Sequence, residues 1–309
     1  MGRYVARRLL QMIPVFIGST LLVFLMMYAL PGDPVRALAG EQHVDATQIA
    51  ALKAEYGLDK PIWQQYLNYL ANLFQGDFGT QIGTQRPVAE VIADAYPITV
   101  RLAIFAFVFT VVAGISLGII AGLKAESIRD RGLLGLTLVL ISMPSFVLGF
   151  LVQNFFAFQL GIAKPSVSLE PTNGELIMPA VVLASLSLAY VARLTRTSVA
   201  ENMRADYMRT AVAKGLPRRR VIGVHLMRNS LIPVVTFLGT DIGSLMGGAI
   251  VTEGIFNIKG VGSLVFDALG KREGATVVGV VTLLVVVYLV ASLLVDLLYA
   301  VLDPRIRYA

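Results

Sequence analysis

The sequence predicts an all-α protein that crosses a membrane several times. Of its 309 residues, 56% are hydrophobic and only 15% are charged, whereas a soluble domain carries about 25% charged residues. Six apolar segments approach or exceed the ~20 residues that a helix needs to cross the hydrocarbon core. The composition therefore excludes a protein made of one or two soluble domains and indicates a polytopic membrane protein.

Six segments are predicted to be the transmembrane helices. They cover residues 9–30, 98–123, 133–160, 176–192, 231–251 and 277–302. The first follows three arginines, but its length and the lack of a small-residue cleavage site after it favour an uncleaved helix over a secretory signal. Pro179 lies near the start of the fourth segment. Pro144 interrupts the third near its middle, where it either forms a hinge or is tolerated.

The distribution of Lys and Arg predicts the orientation. Seventeen of these side chains fall on one side of the predicted spans and eight on the other. The first set occupies residues 1–8, 124–132, 193–230 and 303–309. Because cytoplasmic loops carry the excess of basic residues, both termini are predicted to be cytoplasmic. The net charge of +6 then reflects topology, and no nucleic-acid partner is expected.

The long outer segment, residues 31–96, is predicted to be acidic and partly helical. It has eight Asp and Glu against four Lys and Arg. Asp45 and Gln48 are spaced as a capping box, and Gly57 suits a helix C-terminus. Pro61 can begin a second helix whose apolar stripe comprises Ile62, Tyr66, Tyr69, Leu70 and Leu73. The insertion is either a lid that packs on its own helices or a docking surface for an external partner.

Glycines within the spans predict close helix packing. Gly114, Gly118 and Gly122 repeat every four residues and leave a smooth face for a neighbouring helix. A similar pattern of small residues in the fifth span comprises Gly243, Gly247, Ser244 and Gly248.

Asp241 lies near the centre of the fifth span. A carboxylate at that depth costs on the order of 3 kcal/mol or more unless it faces water or a partner. Two interpretations stay open: Asp241 lines a hydrated translocation pathway and faces a cationic group on the cargo, or it forms an internal hydrogen bond or ion pair.

The stretch 206–216 is predicted to be a cytoplasmic helix of about three turns. Asp206 can cap its N-terminus, Ala211 and Ala213 favour helix, and Gly215 suits the position after the last turn. The alanines give the helix a low profile, so that it can enter a groove on another protein. Three arginines follow at 218–220 and are predicted to contact anionic lipid headgroups.

This stretch resembles the EAA loop of ABC-importer permeases of the dipeptide, oligopeptide and nickel branch. The matching residues are Asp206-Tyr207, Ala211, Ala213, Lys214-Gly215-Leu216, Arg228-Asn229 and Leu231-Ile232-Pro233. Further matches are Leu30-Pro31-Gly32-Asp33-Pro34, Tyr56-Gly57-Leu58-Asp59-Lys60-Pro61, Gly76-Asp77-Phe78-Gly79-Thr80, Glu253-Gly254-Ile255-Phe256, Lys259-Gly260-Val261-Gly262 and Asp296 to Tyr308. Lys259 departs from the small residue or proline expected there. The resemblance covers nearly the whole chain.

The resemblance implies a fold and a division of the chain. The fold is that of a type I ABC importer permease (MetI-like) with six transmembrane helices. Residues 1–30 would form an N-terminal transmembrane helix, 31–96 an extracytoplasmic insertion with short helices, and 97–309 the permease core with five transmembrane helices. The core would contain the cytoplasmic EAA coupling loop at 206–233.

The resemblance also implies partners and a site. The chain would be the first permease subunit of an importer in the bacterial plasma membrane, and it would move di- or oligopeptides delivered by an extracytoplasmic binding protein. A second permease subunit would complete the pathway, and two ATP-binding subunits or one fused ATPase would hold ATP and Mg. The residues that couple to the ATPase would be Asp206, Tyr207, Arg209, Thr210, Ala211, Ala213, Lys214, Gly215 and Leu216.

Several alternatives stay open on sequence alone. Within the same branch, the cargo could be a nickel chelate, glutathione or an oligosaccharide. A stand-alone secondary transporter would show an inverted repeat with paired broken spans, and a membrane scaffold would not need Asp241. The chain has no phosphate-binding G-x-x-x-x-G-K-[ST] motif, no cysteine and only His43 and His225 as histidines. Neither a catalytic site nor a metal site is therefore expected in this chain.

Overall fold

A computed structural model describes residues 2–28 and 46–302 of the chain. These residues form helices joined by short loops, with one isolated β-bridge between Thr80 and Pro87. Three sequence predictions lie outside the described residues: the motif at 30–34, the capping role of Asp45, and the end of the C-terminal motif at 303–308.

The helices run from the N-terminal α1 to the C-terminal α14. They are α1 (Gly2–Tyr28), α2 (Ala46–Glu55), α3 (Ile62–Leu73), α4 (Val88–Phe109), α5 (Ile115–Gly122), α6 (Ile128–Ser142), α7 (Ser145–Gln153), α8 (Asn173–Met203), α9 (Asp206–Ala213), α10 (Arg218–Arg220), α11 (Met227–Ser230), α12 (Ile232–Phe256), α13 (Val261–Gly270) and α14 (Gly274–Leu302). Three π-helical segments connect neighbours at Thr110–Gly114, Asn154–Gln159 and Val221–Leu226.

The described residues contain five helices long and apolar enough to cross a membrane, as the composition predicts. They lie in α1, in the continuous helix from α4 to α5, in α8, in α12 and in α14. A sixth candidate consists of two helices, α6 and the helix that begins at Ser145. Together they pass the same test, but the chain bends by 107° between them. They supply the sixth span if the two helices cross the membrane as a single span. The bend is at Met143 and Pro144, where both residues adopt extended backbone. The chain is therefore an all-α polytopic membrane protein.

Two predicted spans are shorter than the helices that contain them. The second helix begins at Val88 instead of 98 and includes Pro97, and the fourth runs from Asn173 to Met203 and includes Pro179. Hydropathy locates only the apolar part of a helix, whereas helical hydrogen bonds continue into the polar residues at either end. A proline inside a transmembrane helix removes one such bond without ending the helix.

Two compact units divide the chain. One comprises Met1–Thr99 and Lys259–Leu293, and the other Val100–Ile258 and Leu294–Ala309. In the first unit, apolar residues of α4, α13 and α14 form one core cluster around Val88 and Val261. The Oγ1 atom of Thr99 accepts a hydrogen bond from the backbone N–H of Val261 over 2.9 Å. The sequence-based division into residues 1–30, 31–96 and 97–309 stays a prediction.

The helix α3 packs in the first unit through its predicted apolar stripe. Tyr66 is buried in a cluster with Phe24 and Val278, and Ile62, Tyr69 and Leu70 pack around it. The predicted helix end before it is also confirmed: Gly57 has a φ of +65°, and its N–H bonds to the carbonyl oxygen of Ala54 over 3.1 Å.

In the second unit, the glycines of the second span allow close contact between α5 and α8, as predicted. A Cβ atom at Gly118 would lie 2.5 Å from the Cβ of Thr195 and 2.6 Å from the carbonyl oxygen of Ala192. At Gly122 it would lie 2.8 Å from the carbonyl oxygen of Arg196. The backbones therefore approach too closely for any larger residue.

The corresponding prediction for the fifth span fails at the two glycines that can be compared. An added Cβ at Gly247 would meet nothing within 4 Å, and one at Gly248 would make an ordinary contact of 3.4 Å with Leu183 Cδ1. Gly247 and Gly248 therefore do not mark the same close approach as the glycines of α5.

Candidate functional site

The predicted cytoplasmic helix exists as α9, and it is shorter than predicted. It covers Asp206–Ala213, about two turns, where about three were expected. The predicted capping role of Asp206 is wrong. Ala205 occupies the N-cap position with φ −69° and ψ 148°, because the turn that follows α8 leaves only this residue in extended backbone. Asp206 is instead the first helical residue, where its negative charge interacts favourably with the positive end of the helix dipole.

The C-terminus of α9 has the geometry predicted for Gly215. The φ of Gly215 is +73°, a left-handed conformation that L side chains adopt only at a cost. The N–H of Gly215 bonds to the carbonyl oxygen of Val212 over 2.9 Å, and the N–H of Leu216 bonds to that of Ala211 over 3.4 Å. This pair of bonds is the Schellman motif, and it turns the chain sharply into α10.

A side-chain hydrogen bond ties α9 to the end of α8. The Tyr207 hydroxyl donates to Oδ1 of Asn202 over 2.7 Å. The amide nitrogen of Asn202 in turn donates to the carbonyl oxygen of Ser198 over 2.8 Å. The short helix is therefore fixed to the long transmembrane helix through side chains as well as through the connecting turn.

One face of α9 packs on its own chain. Met208 and Ala211 are buried in a cluster with Val199 of α8 and with Val221 and Leu226 of the segment that follows. Ala211 is only 5% exposed. The sequence suggested a docking role for Ala211. In the structure this side chain packs in the cluster between α9 and the rest of the chain, and it is not on the exposed face of α9.

The opposite face of α9 is exposed. Asp206, Arg209, Thr210 and Ala213 share it, because their spacing of i, i+3, i+4 and i+7 places them on one stripe. We call these four residues the outward stripe. Lys214 and Gly215 are also exposed, whereas Tyr207 and Leu216 are half-buried.

An open groove of about 720 Å³ borders the outward stripe. Its lining is mainly apolar and includes Val212, a residue that the sequence-based set omitted although 63% of it is exposed. The lining residues are Met203, Met208, Arg209, Val212, Ala213, Leu216, Arg218, Val221 and Ile222. An exposed valine beside a groove on a polar segment favours contact with another protein.

An ion pair joins Asp130, in the first turn of α6, to Arg196 of α8, seven residues before α8 ends. Nε of Arg196 donates to Oδ1 of Asp130 over 2.8 Å, and Nη2 donates to Oδ2 over 2.5 Å. The Asp130 carboxylate also accepts a bond from the N–H of Glu126 over 2.7 Å. Its side chain is 2% exposed, so that this bidentate pair is nearly sheltered from water.

Asp241 is buried within its span, next to α8. Its Oδ1 accepts a hydrogen bond from the Ser187 hydroxyl over 2.7 Å, while its Oδ2 has no partner among the described residues. The bond with Ser187 is the internal hydrogen bond that one interpretation expects, while the role of Asp241 in a translocation pathway stays a prediction.

Two of these contacts had no signal in the sequence. Asp130 and Arg196 are far apart in the chain, and Arg196 was counted only among the basic residues of the segment 193–230. The pairing of Tyr207 with Asn202 depends on how α9 folds back on α8. In the part of the chain that the structure describes, no group of three or more acidic or histidine side chains could hold a metal ion.

Comparison with known proteins shows two family matches that together cover nearly the whole chain. Residues 114–308 match the family described as binding-protein-dependent transport system inner membrane component, and residues 1–103 match the N-terminal family of such membrane components.

Curated relatives match over their full length. The dipeptide transport system permease protein DppB of Escherichia coli K12 is 40% identical, covering 100% of this chain and 99% of the relative. A di/tripeptide permease of Pseudomonas aeruginosa is 38% identical over 99% of this chain and 98% of its own length. The glutathione permease GsiC of Salmonella typhimurium is 39% identical, and the match covers both chains completely.

Proposed function

Since this chain belongs to the family of binding-protein-dependent transport system inner membrane components, we propose that it is the non-catalytic permease subunit of an ATP-driven importer. It forms part of the pathway through the bacterial inner membrane, with both termini in the cytoplasm. A second, similar permease subunit completes the pathway. ATP and Mg bind to partner subunits, either two ATP-binding chains or one fused ATPase.

The helix α9 is the contact with the ATPase. The observation that carries this proposal is how α9 is held. Its outward stripe is exposed, while its other face is buried. Tyr207 near its N-terminus bonds to Asn202, and the Schellman motif closes its C-terminus. A helix held in this way moves as a rigid body when another protein displaces it. Closure of the ATP-binding subunits on ATP moves α9, and the Tyr207–Asn202 bond carries the displacement into α8.

Site-specific cross-linking tests this contact. The chain has no cysteine, so Ala213→Cys introduces a single thiol on the outward stripe. We expect a short bifunctional reagent to link it to an ATP-binding subunit. Ala211→Cys, two residues away on the buried face, is the matched control and should stay unlinked. Equal yields at both positions, or no product at position 213, would contradict docking through this stripe.

The cargo proposed for this importer is a di- or oligopeptide. Relatives named for dipeptide and di/tripeptide transport are 40% and 38% identical over nearly complete chains. Glutathione is the second candidate, because the full-length relative named for glutathione transport is 39% identical. Uptake of labelled dipeptide and of labelled glutathione, measured separately, distinguishes the two. The first proposal predicts dipeptide uptake that excess glutathione leaves unchanged, and the second predicts glutathione uptake that excess dipeptide leaves unchanged.

A pull-down in gentle detergent tests the partners. Purified from its native membrane, the chain should bring down a second permease subunit and ATP-binding subunits, all identified by mass spectrometry. An extracytoplasmic binding protein should co-elute at low salt, and its bound ligand then reports the cargo. Recovery of the chain by itself would argue instead for a stand-alone transporter.

A further inference from the structure

The outer helix α3 has a second apolar stripe that no contact in the described residues explains. Trp63, Leu67 and Phe74 are 63%, 55% and 86% exposed. Positions i, i+4 and i+11 fall within about 40° of one another around a helix, so the three side chains point the same way. This stripe is distinct from the one that packs through Tyr66 and Tyr69.

The circumference of α3 divides into three sectors. One sector packs on α1 and α14 through Tyr66 and Tyr69. The second is polar and carries Gln64, Gln65, Asn68 and Asn72. The third is the exposed stripe of Trp63, Leu67 and Phe74. The sequence Ile62–Leu73 contains no charged residue, which is unusual for a helix that water surrounds on its free sides.

Contacts with α1 show how deep α3 lies. The Tyr66 hydroxyl is 2.9 Å from Oγ1 of Thr20 and donates to the carbonyl oxygen of Ile17 over 3.1 Å. Thr20 lies eight residues before Tyr28, the last described residue of α1, or about 12 Å along the helix axis. The ring of Tyr66 packs against Phe24, with 5.4 Å between ring centroids, at about half that depth.

Contacts with α14 give the same depth independently. The Tyr69 hydroxyl donates to Oγ1 of Thr282 over 2.7 Å. Thr282 lies eight residues after the start of α14 at Gly274, again about 12 Å along the axis. Lys271, Arg272 and Glu273 come directly before α14 and mark the polar boundary.

We propose that α3 is an interfacial helix embedded in the outer leaflet, with Trp63, Leu67 and Phe74 in contact with lipid acyl chains. The hydroxyls of Tyr66 and Tyr69 lie about 12 Å inside the spans. The backbone of α3 is one tyrosine side chain closer to the membrane surface, which is the depth of the boundary between headgroups and acyl chains. Amphipathic interfacial helices bury their apolar face about 5–10 Å into that boundary. Tryptophan is enriched at the same level, and the polar sector then faces water.

Trp63 permits a direct test, because it is the only tryptophan in the sequence. The unmodified chain is reconstituted in phosphatidylcholine vesicles brominated at different acyl positions. We expect strong quenching of its fluorescence by bromine near the top of the acyl chain, weaker quenching by bromine near the chain end, and weak quenching by aqueous iodide. Strong iodide quenching with no bromine effect would overturn the proposal.

A second measurement distinguishes lipid from a covering protein. In this cysteine-free chain, Leu67→Cys and Asn68→Cys carry a nitroxide in the apolar and the polar sector, and each is purified with the subunits that accompany it. Collisions with oxygen relative to a water-soluble nickel chelate should be several-fold higher at position 67 than at 68. Low collision rates with both reagents at position 67 would mean that a protein covers the stripe and would overturn lipid contact. The outcome does not depend on the proposed transport function.

Discussion

Tyr207 and Asn202 join the short helix α9 to the transmembrane helix α8 through a hydrogen bond of 2.7 Å. Tyr207→Phe removes this bond and keeps the ring, at a local cost of about 1 kcal/mol. We expect the variant to hydrolyse ATP in the assembled importer but to import less cargo per ATP. The measurement is uptake and phosphate release in the same proteoliposomes.

Asn202→Ala and the double variant complete this test. If the two side chains act through their shared bond, the double variant loses no more coupling than either single variant. Losses that add would indicate that Tyr207 and Asn202 act separately.

The ion pair between Asp130 and Arg196 should stabilise the C-terminal end of α8. Asp130→Ala leaves Arg196 without its carboxylate, and removing one partner of a buried pair costs on the order of 3 kcal/mol. Arg196→Lys keeps the charge but loses the bidentate geometry, so we expect a smaller loss. Thermal unfolding in detergent measures both. The double variant Asp130→Ala/Arg196→Ala should be more stable than Asp130→Ala, and the reverse order would contradict this account.

Gly215 should be required for its backbone conformation. An added Cβ at this position meets nothing within 4 Å, yet the φ is +73°. Gly215→Ala therefore costs about 1–2 kcal/mol through backbone strain with no steric clash, and Gly215→Asn should cost less. We expect uptake to be highest with Gly at position 215, lower in Gly215→Asn and lowest in Gly215→Ala. Gly223→Ala is the control, because that position has open space and no left-handed backbone; equal loss at position 223 would refute the conformational explanation.

Gly118 should be required for a steric reason. Gly118→Ala places a methyl group against Thr195 and the carbonyl oxygen of Ala192, so that α5 and α8 must separate. Such overpacking costs about 1–3 kcal/mol, and the melting temperature in detergent should fall. Gly132→Ala, in α6 with nothing within 4 Å, should leave that temperature unchanged or raise it slightly. Equal behaviour of the two variants would argue against close α5–α8 contact.

Asp241 should influence cargo selection if its free oxygen faces the pathway. Asp241→Asn keeps the bond with Ser187 and removes the charge. We expect several-fold lower uptake of cargo with a free amino group relative to the same cargo with its amino group blocked. Ser187→Ala removes only the internal bond and should leave this preference intact. An unchanged preference in Asp241→Asn would leave Asp241 a structural residue.

Local patterns predicted local features well. The left-handed Gly215, the glycine face around Gly118 and the apolar stripe containing Tyr66 each depend on backbone conformation or helical periodicity, which nearby residues determine. Hydropathy identified the spans but not where the helices start and end, so Val88 and Met203 were missed as boundaries. The capping role of Asp206 failed because the preceding helix ends only three residues earlier, which leaves Ala205 at the N-cap position.

Contacts between distant residues had no such signal. Asp130 meets Arg196, and Ser187 meets Asp241, only because particular helices pack side by side. The depth of α3 likewise depends on which residues of α1 and α14 its tyrosines reach. Composition indicates that a helix is apolar, but the position of the helix relative to its neighbours decides which side chains meet.

Transport by the assembled importer tests the central proposal most directly. Proteoliposomes contain this chain with its partner permease and ATP-binding subunits, and a labelled dipeptide is supplied outside on the binding protein with Mg-ATP inside. We predict uptake that requires both ATP and the binding protein and that is lost in Gly215→Glu, a bulky charge beside the outward stripe, although the chain still inserts into the membrane. Normal uptake in Gly215→Glu, or uptake that needs neither ATP nor the binding protein, would contradict the account.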